Sequence, residues 1–265
     1  MLFVNLTACP AGSTLPLATA RPQGVSCHTL SGKGRACAPA DLPKLPVGTS
    51  LADEAGTAHL VVTGHVLLPS PDGPHALFCP LLTALVDLPA GEIALLPEKR
   101  GTSLAWITLS DSTHAGTRED ASGPVLASKV RDFLDIDYAQ GYLLPDNASD
   151  LRALLTHLAL VEGYDLILTT GGTGVAPTDV TPEATARVLD YELPGFAQAM
   201  TMASLAKTPM GAISRARAGV IGRSLVVNLP GSPKAVQENL EAVLPCFKHT
   251  IEKLHGDSTP CGSGS

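Results

Sequence analysis

The pattern of hydrophobic and polar positions changes near residue 100. Before that point, short apolar runs such as 60–62, 65–68 and 76–78 are separated by Pro- and Gly-rich turns, and helical periodicity is weak. Short runs between turn residues are typical of β-strands. The sequence therefore predicts a small β-rich module of unassigned role over residues 1–98, followed by a linker around residues 97–101.

After residue 100, apolar runs alternate with amphipathic segments. The runs 104–109, 138–144 and 165–168 predict strands, and residues 123–133 predict a helix. A second helix is predicted by leucines at helical spacing, namely Leu151, Leu154, Leu155 and Leu158. This alternation predicts a layered α/β/α domain with a largely parallel sheet over residues 103–254.

Residues 219–229 predict a β-hairpin that turns near Gly222. A helix should follow, with Ser232 as its N-cap and Pro233 as its first residue. Residues 256–265 are small and polar, which predicts a disordered tail.

Composition narrows the function. The chain has 265 residues and a formal net charge of −7 with no basic block, which argues against a general nucleic-acid binder. No apolar run is long enough to span a bilayer, and the first residues lack the basic region of a signal peptide. The six cysteines are scattered, and Cys27 and Cys37 fit no common zinc spacing. We expect reduced thiols, no membrane segment and a cytoplasmic protein.

The segment 169–181 carries the strongest chemical signal. An apolar run leads directly into Gly171, Gly172 and Gly174, with Thr173 between them. Glycines let a ligand approach the backbone closely, because no Cβ intervenes. Asp179 follows, and the sequence Thr-Pro-Glu from residue 181 predicts a helix with Thr181 as its N-cap. This layout is suited to a phosphate and a cation.

Polar residues also follow the other predicted strands. They are Ser110 and Asp111 after the first strand, Asp146 after the second, and the loop 228–234 after the hairpin. Ligands of open α/β sheets bind where strands end and helices begin, so we expect these residues to converge. Their chemistry suits phosphoryl transfer: glycine amides for phosphate oxygens, and Asp146 with Asp179 as Mg²⁺ ligands.

Arg215 and Lys234 are the candidate cations for phosphate oxygens. Each assignment has an ordinary structural alternative. Asp146 could cap the following helix, a role for which Asn147 and Ser149 compete, and Lys234 could be a solvated surface residue. The Walker A spacing does not occur, which excludes a standard P-loop. The glycine segment is not Gly-x-Gly-x-x-Gly either, so a nicotinamide Rossmann site fits it poorly.

Residues 103–254 resemble the molybdopterin adenylyltransferase family of molybdenum cofactor biosynthesis. The resemblance rests on several ordered motifs, at 108–112, 144–146, 170–174, 179–185, 194–196 and 228–234. It implies transfer of AMP from Mg-ATP to the terminal phosphate of molybdopterin, with release of pyrophosphate. It also implies a homotrimer, and a molybdenum-insertion protein as the user of the product.

The resemblance carries roles to individual residues. Asp146 and Asp179 match the family's two essential aspartates, which are expected to be catalytic and to bind the metal. The implied pocket for nucleotide and pterin is formed by Ser110, Asp111, Gly171, Gly172, Thr173, Gly174, Ser214, Arg215, Pro230, Gly231, Ser232 and Lys234. The chain departs from the family where members place a second serine after the arginine, because it has Ala216 there.

Two functions remain open from the sequence. The first is the adenylyl transfer just described. The alternative is a non-catalytic molybdopterin-binding scaffold or metal-insertion partner, in which the leading β-rich module would dock another protein.

Overall fold

The computed structural model describes residues 1–32, 37–70 and 74–258. The chain divides into two compact units, Met1–Gly101 and Thr102–Ser265. From residue 259 onward, the predicted disordered tail lies outside the described residues.

The first unit is a closed β-barrel. Its strands are β1 (Leu2–Leu6), β2 (Thr14–Ala18), β3 (His28–Leu30), β4 (Ser50–Ala52), β5 (Ala58–Pro69), β6 (Ala76–Ala84) and β7 (Gly91–Glu98). They are hydrogen-bonded in the order β1-β3-β2-β6-β5-β4-β7, and pairing of β1 with β7 closes the barrel. Only the β2–β3 pair is parallel among these strands. Large apolar side chains from different strands fill the barrel, among them Leu17, Leu51, Leu60, Leu82 and Leu95.

Among the described residues of this unit, the polar side chain of His28 is fully buried. His28 accepts a hydrogen bond at Nδ1 from the backbone N–H of Thr7 at 3.1 Å, so a neutral ring carries its proton on Nε2. That Nε2 is buried without a hydrogen-bond partner among the described residues. Burial lowers the pKa of His28, because the charged imidazolium would lose its hydration.

The second unit contains a six-stranded mixed sheet. Its strands are β8 (Thr102–Leu109), β9 (Ile136–Leu144), β10 (Leu166–Thr170), β11 (Tyr191–Glu192), β12 (Ala218–Ile221) and β13 (Ser224–Leu229). Their order is β11-β12-β13-β10-β8-β9. The four strands from β13 to β9 are parallel, whereas β12 and β11 add antiparallel pairs. The predicted α/β class is confirmed, and the antiparallel edge follows from the predicted hairpin, which turns at Gly222 with φ of 59°.

The α-helices described in this unit are α1 (Asp111–His114), α2 (Ser122–Arg131), α3 (Ala148–Thr156), α4 (Thr181–Ala186), α5 (Pro194–Leu205) and α6 (Pro233–Leu254); His157–Glu162 is a π-helical turn and Pro209–Ile213 a 3-10 helix. Apolar residues of α2, α5 and α6 form one core with one face of the sheet. Alternate strand residues such as Ile107, Ile167 and Val226 point to the opposite face and are also fully buried. Within the described part of the chain, no helix has the length and apolar character needed to cross a bilayer.

Of the two N-caps predicted from the sequence, one is correct and one is wrong. Ser232 caps α6 as predicted, accepting at Oγ from the backbone N–H of Ala235 at 3.3 Å. Thr181 is not the cap of α4, because the helix begins at Thr181 and Val180 occupies the N-cap position. The Thr181 hydroxyl instead donates to the buried carbonyl of Gly171 at 2.9 Å, which ties the helix to the glycine loop.

Candidate active site

The topology of the second unit predicts where a ligand binds. Strand β8 lies between β9 on one side and β10 on the other, so the chain reverses its direction of winding at β8. In open α/β sheets, the crevice outside the carboxyl ends of the strands at such a point is the usual ligand site. Here this crevice lies between Ser110, which follows β8, and Gly171, which follows β10.

A cleft of about 350 Å³ occupies this position. Seven of the residues singled out in the sequence line it, namely Ser110, Asp146, Gly171, Gly172, Asp179, Gly231 and Ser232. They come from the ends of β8, β9, β10 and β13 and from the loop before α4. Segments as distant in sequence as Ser110 and Ser232 therefore meet at one edge of the sheet, as the strand-end argument predicted.

Asp146 is available for chemistry because its neighbour caps the helix. Asn147 is the N-cap of α3, accepting at Oδ1 from the N–H groups of Ser149 and Asp150 at 2.8 and 3.3 Å. Asp146 forms a reciprocal pair with Asp111 instead. Asp146 Oδ2 accepts from the Asp111 N–H at 3.2 Å, and Asp111 Oδ1 accepts from the Asp146 N–H at 2.9 Å. The pair fixes the ends of β8 and β9 relative to one another.

The electrostatics of the cleft favour a cation. Partial burial raises the pKa of Asp146, and the negative charges of Asp111 and Asp179 raise it further, against the lowering effect of the Asp111 backbone hydrogen bond. No group of three metal-ligating side chains occurs in the part of the chain that the structure describes. Mg²⁺ is usually held by one or two carboxylates, with waters and substrate phosphates as the remaining ligands, so Asp146 and Asp179 fit this ion.

The glycine loop requires glycine at two positions. Gly171 has φ of 100°, and a Cβ there would lie 2.3 Å from the carbonyl oxygen of Leu109. Gly172 has φ of 64°, and its Cβ would lie 2.5 Å from Thr181 Oγ1 and 3.6 Å from Asp146 Oδ1. Positive φ is open to glycine at no steric cost. The backbone at Gly172 therefore approaches the Thr181 hydroxyl more closely than a larger residue would allow.

The far end of the loop is held by Arg215. Its Nε donates to the carbonyl of Gly174 at 2.6 Å, one terminal nitrogen donates to the carbonyl of Asp179 at 2.7 Å, and the other pairs with the Glu183 carboxylate. Its backbone N–H donates to the carbonyl of Thr173 at 3.0 Å. In this arrangement the guanidinium orders the loop rather than facing the cleft.

Asp179 has a structural contact of its own. Its Oδ2 accepts from the backbone N–H of Ala176 at 2.7 Å, and a Cβ at Gly174 would lie 2.7 Å from that oxygen. The carboxylate thus closes the turn before α4 while it also lines the cleft. A carboxylate has about four lone-pair sites, so one N–H bond leaves room for a cation.

Hydroxyl groups anchor the loop that precedes α6. Thr170 Oγ1 donates to the carbonyl of Pro230 at 2.7 Å, and Ser122 Oγ donates to the carbonyl of Gly231 at 2.7 Å. A Cβ at Gly231 would lie 3.4 Å from the Cα of Gly171, so the two glycine-containing segments run close together. Their conformations are fixed by side chains from β10 and α2.

Several predicted contacts lie outside the cleft lining, namely Asp111, Thr173, Gly174, Ser214, Arg215, Pro230 and Lys234. Asp111, Arg215 and Pro230 support lining residues through the hydrogen bonds described above, and Gly174 is held by Arg215. Lys234 is different: its side chain is 86% exposed and its nitrogen lies 4.0 Å from Glu238, one helical turn away. The solvated-surface alternative for Lys234 describes this position.

The cleft also contains residues that the sequence reasoning missed. Arg118 lines it and is exposed, with no hydrogen-bond or ion-pair partner among the described residues. Asp120 lines it too, but it accepts from Thr108 Oγ1 and from the N–H groups of Ser122 and Gly123, at 2.7, 3.0 and 2.9 Å. Asp120 therefore organises the start of α2. The signal that the sequence offered for both residues was their position between the end of β8 and the start of α2.

Known proteins resemble this unit. A family model described as a probable molybdopterin binding domain matches residues 105–249. The molybdopterin adenylyltransferase of Helicobacter pylori (strain J99) is 36% identical over 152 residues, which are 57% of this chain and 86% of that protein. The Haemophilus influenzae molybdopterin adenylyltransferase is 42% identical over 142 residues, covering 53% of this chain and 72% of that protein.

A solved structure gives the same picture. The molybdopterin biosynthesis enzyme MoaB from Thermus thermophilus superposes with a TM-score of 0.55 and 43% sequence identity. The match covers 59% of this chain and 98% of that one. The two relatives and the solved structure each match somewhat more than half of the chain. The family model lies within the second unit.

Proposed function

The chain belongs to the molybdopterin adenylyltransferase family, the nucleotidyltransferases of molybdenum cofactor biosynthesis, and from that premise we propose that its second unit adenylylates molybdopterin. A terminal phosphate oxygen of molybdopterin attacks the α-phosphorus of ATP. A new P–O bond forms, the bond between the α-phosphorus and the bridging oxygen breaks, and pyrophosphate leaves with that bonding pair. The observation that carries the proposal is the meeting of Asp146, Asp179 and the Gly171–Gly172 backbone in one cleft.

Different groups of the protein have different roles in the proposed reaction. The backbone around Gly171 and Gly172 lets phosphate oxygens approach without a Cβ, and Ser110 and Ser232 line the same cleft. Asp146 and Asp179 would hold Mg²⁺, and the bound ion would neutralise phosphate charge. Arg118 supplies a cation that no protein group neutralises within the described residues. Arg215 is a positioning residue, because it orders the loop that contains Gly174.

We further propose that the enzyme works as a cytoplasmic homotrimer and passes its product to a molybdenum-insertion protein. Sedimentation equilibrium on the full chain tests the homotrimer directly. A mass of one or two chains at micromolar concentration would contradict it.

Pyrophosphate release in the presence of molybdopterin, Mg²⁺ and ATP tests the activity. Asp179→Asn should lower the rate at least about 100-fold, the scale of removing one group that stabilises charge in the transition state. The amide oxygen of asparagine can still accept the Ala176 N–H, so the turn is retained. Asp150→Asn is the matched control, because Asp150 is exposed and lies outside the cleft lining.

The non-catalytic alternative gives a different result. A scaffold would bind molybdopterin in a calorimeter and would show neither ATP binding nor pyrophosphate release. Equal rates for wild type and Asp179→Asn would also refute the assignment of the carboxylate.

A further inference from the structure

A second cavity adjoins the candidate active site, and apart from Asp179 and Arg215 its residues have no part in the mechanism above. Its volume is about 510 Å³, larger than the cleft, and Asp179 lines both spaces. Its walls are formed by Ala148, Arg152, Val175, Ala176, Pro177, Asp179, Val180, Glu183, Ala184, Arg187 and Arg215. We refer to it as the arginine chamber.

The charges in the arginine chamber favour an anion. Three guanidinium groups stand against two carboxylates, those of Asp179 and Glu183, which leaves a net positive charge in a chain whose net charge is −7. The Glu183 carboxylate is already neutralised by Arg215. The guanidinium groups of Arg152 and Arg187 have no hydrogen-bond or ion-pair partner among the residues that the structure describes.

These two arginines come from different helices. Arg152 lies in the second turn of α3, and Arg187 is the C-cap residue of α4. Buried apolar residues such as Leu151 and Ala184 fix the helices that present them. Two unpaired guanidinium groups facing one cavity from two fixed helices suit a phosphate group, because the planar fork of arginine matches phosphate oxygens.

The remaining wall of the chamber is mostly apolar, with Val175, Pro177 and Val180 among its residues. Ligand pockets combine such apolar walls with a few placed charges. The cleft, in contrast, is lined mainly by hydroxyls, backbone groups and carboxylates, together with Arg118. The two spaces therefore differ in chemistry although they share Asp179.

We propose that the arginine chamber is an anion-binding site that holds a phosphate group through Arg152 and Arg187. Two sources share this chemistry: the pyrophosphate end of ATP and a phosphate monoester on an aromatic ligand. Assigning the ligand as a substrate of AMP transfer rests on the proposed function. The binding of a phosphate group at these arginines does not.

Isothermal titration of the full chain tests the proposal, with inorganic pyrophosphate as one probe and phenyl phosphate as the other. Arg152→Gln and Arg187→Gln should each weaken binding of at least one probe about ten-fold or more, the effect of losing a charge-assisted hydrogen bond. Arg131→Gln is the control, because Arg131 is exposed, lies in α2 outside both cavities and carries the same charge. Its affinity should change less than two-fold.

The outcomes separate the ligand sources and the two proposals. A loss confined to pyrophosphate assigns the chamber to the polyphosphate of ATP, whereas an equal or larger loss for phenyl phosphate assigns it to a phosphate monoester. No binding of either probe to the wild type, or equal effects of all three substitutions, overturns the chamber. AMP transfer measured on the same samples is independent: an inactive wild type with arginine-dependent pyrophosphate binding would refute the proposed function alone.

Discussion

Gly171→Ala adds a single methyl group to the glycine loop, and we expect it to disrupt the candidate active site. The new Cβ would lie 2.3 Å from the carbonyl oxygen of Leu109, at the end of the largely buried strand β8. That oxygen cannot move away as the end of a flexible side chain could. The residue also sits at φ of 100°, where side chains other than glycine are strained.

The steric clash and the positive φ together determine how much free energy of unfolding Gly171→Ala should lose. A non-glycine residue in such a conformation costs about 1–3 kcal/mol. Forcing an extra carbon into a packed site costs about another 1–3 kcal/mol. The expected loss in free energy of unfolding is therefore at least about 2 kcal/mol, which moves a urea midpoint by about 1 M. The displaced loop should also bind phosphate less tightly.

Trp106 makes the measurement specific to the second unit. It is the only tryptophan of the chain, and its side chain packs against the hydrophobic core of the second unit. Its fluorescence in urea therefore reports the unfolding of this unit, and pyrophosphate release reports the cleft.

Gly195→Ala is the matched control for Gly171→Ala. Gly195 is exposed near the start of α5, and a Cβ there would meet nothing within 4 Å. Alanine suits a helix better than glycine, so this variant should be neutral or up to about 1 kcal/mol more stable. Equal stability losses for the two variants, or a loss below about 1 kcal/mol at Gly171, would refute the steric reasoning.

Three further predictions concern charge. Asp146→Asn should abolish most pyrophosphate release yet slightly stabilise the second unit in urea at pH 7, by less than about 1 kcal/mol, because it removes a carboxylate that neighbouring charges oppose. Arg215→Lys should cost about 1–3 kcal/mol in the same assay, because an ammonium group cannot reach the three acceptors that the guanidinium holds. The barrel should be fully stable above about pH 6.5 and lose stability as the pH falls, because the unfolded chain takes up a proton more readily than buried His28 does.

Each of these has an outcome that contradicts it. A destabilised Asp146→Asn variant would show that the carboxylate serves structure rather than chemistry. A fully stable Arg215→Lys variant would show that charge alone suffices at that position. For the barrel, hydrogen exchange of β1 and β3 peptides, corrected for intrinsic rates, should depend on pH in the wild type and much less in His28→Gln. An unchanged dependence in that variant would exclude His28 as the cause.

The elements that the sequence predicted well are those that local chemistry determines. Ser232 followed by Pro233 starts a helix here as predicted, because the cap and the fixed φ act within one turn. The β12–β13 hairpin likewise depends on the turn at Gly222. The barrel is different: its order β1-β3-β2-β6-β5-β4-β7 depends on pairings between distant strands, which short apolar runs do not encode.

Thr181 shows why a local signal can mislead. A threonine before proline is consistent both with an N-cap and with the first helical residue. The choice depends on whether the hydroxyl finds a better partner elsewhere, and here the buried carbonyl of Gly171 is available ten residues upstream. An unpaired buried carbonyl is costly, so the tertiary contact outweighs the cap.

Tertiary contacts also explain why the sequence did not identify the cation that lines the cleft. The sequence offered Arg215 and Lys234, but charge type alone does not determine which side of a helix or loop a residue occupies. Lys234 extends into solvent, and Arg215 is held by protein groups. Arg118, in a loop with no recognisable motif, is the cation that lines the cleft.

The contacts around the glycine loop bear on how the site binds. The Leu109 carbonyl packs against Gly171, the Thr181 hydroxyl holds its carbonyl, and Arg215 holds that of Gly174. These contacts come from three different elements and need no ligand. A loop that is already ordered does not have to be ordered on binding, so more of the contact energy with phosphate appears as affinity. The glycines therefore do more than open space for a ligand, because they allow the protein to fix the binding backbone in advance.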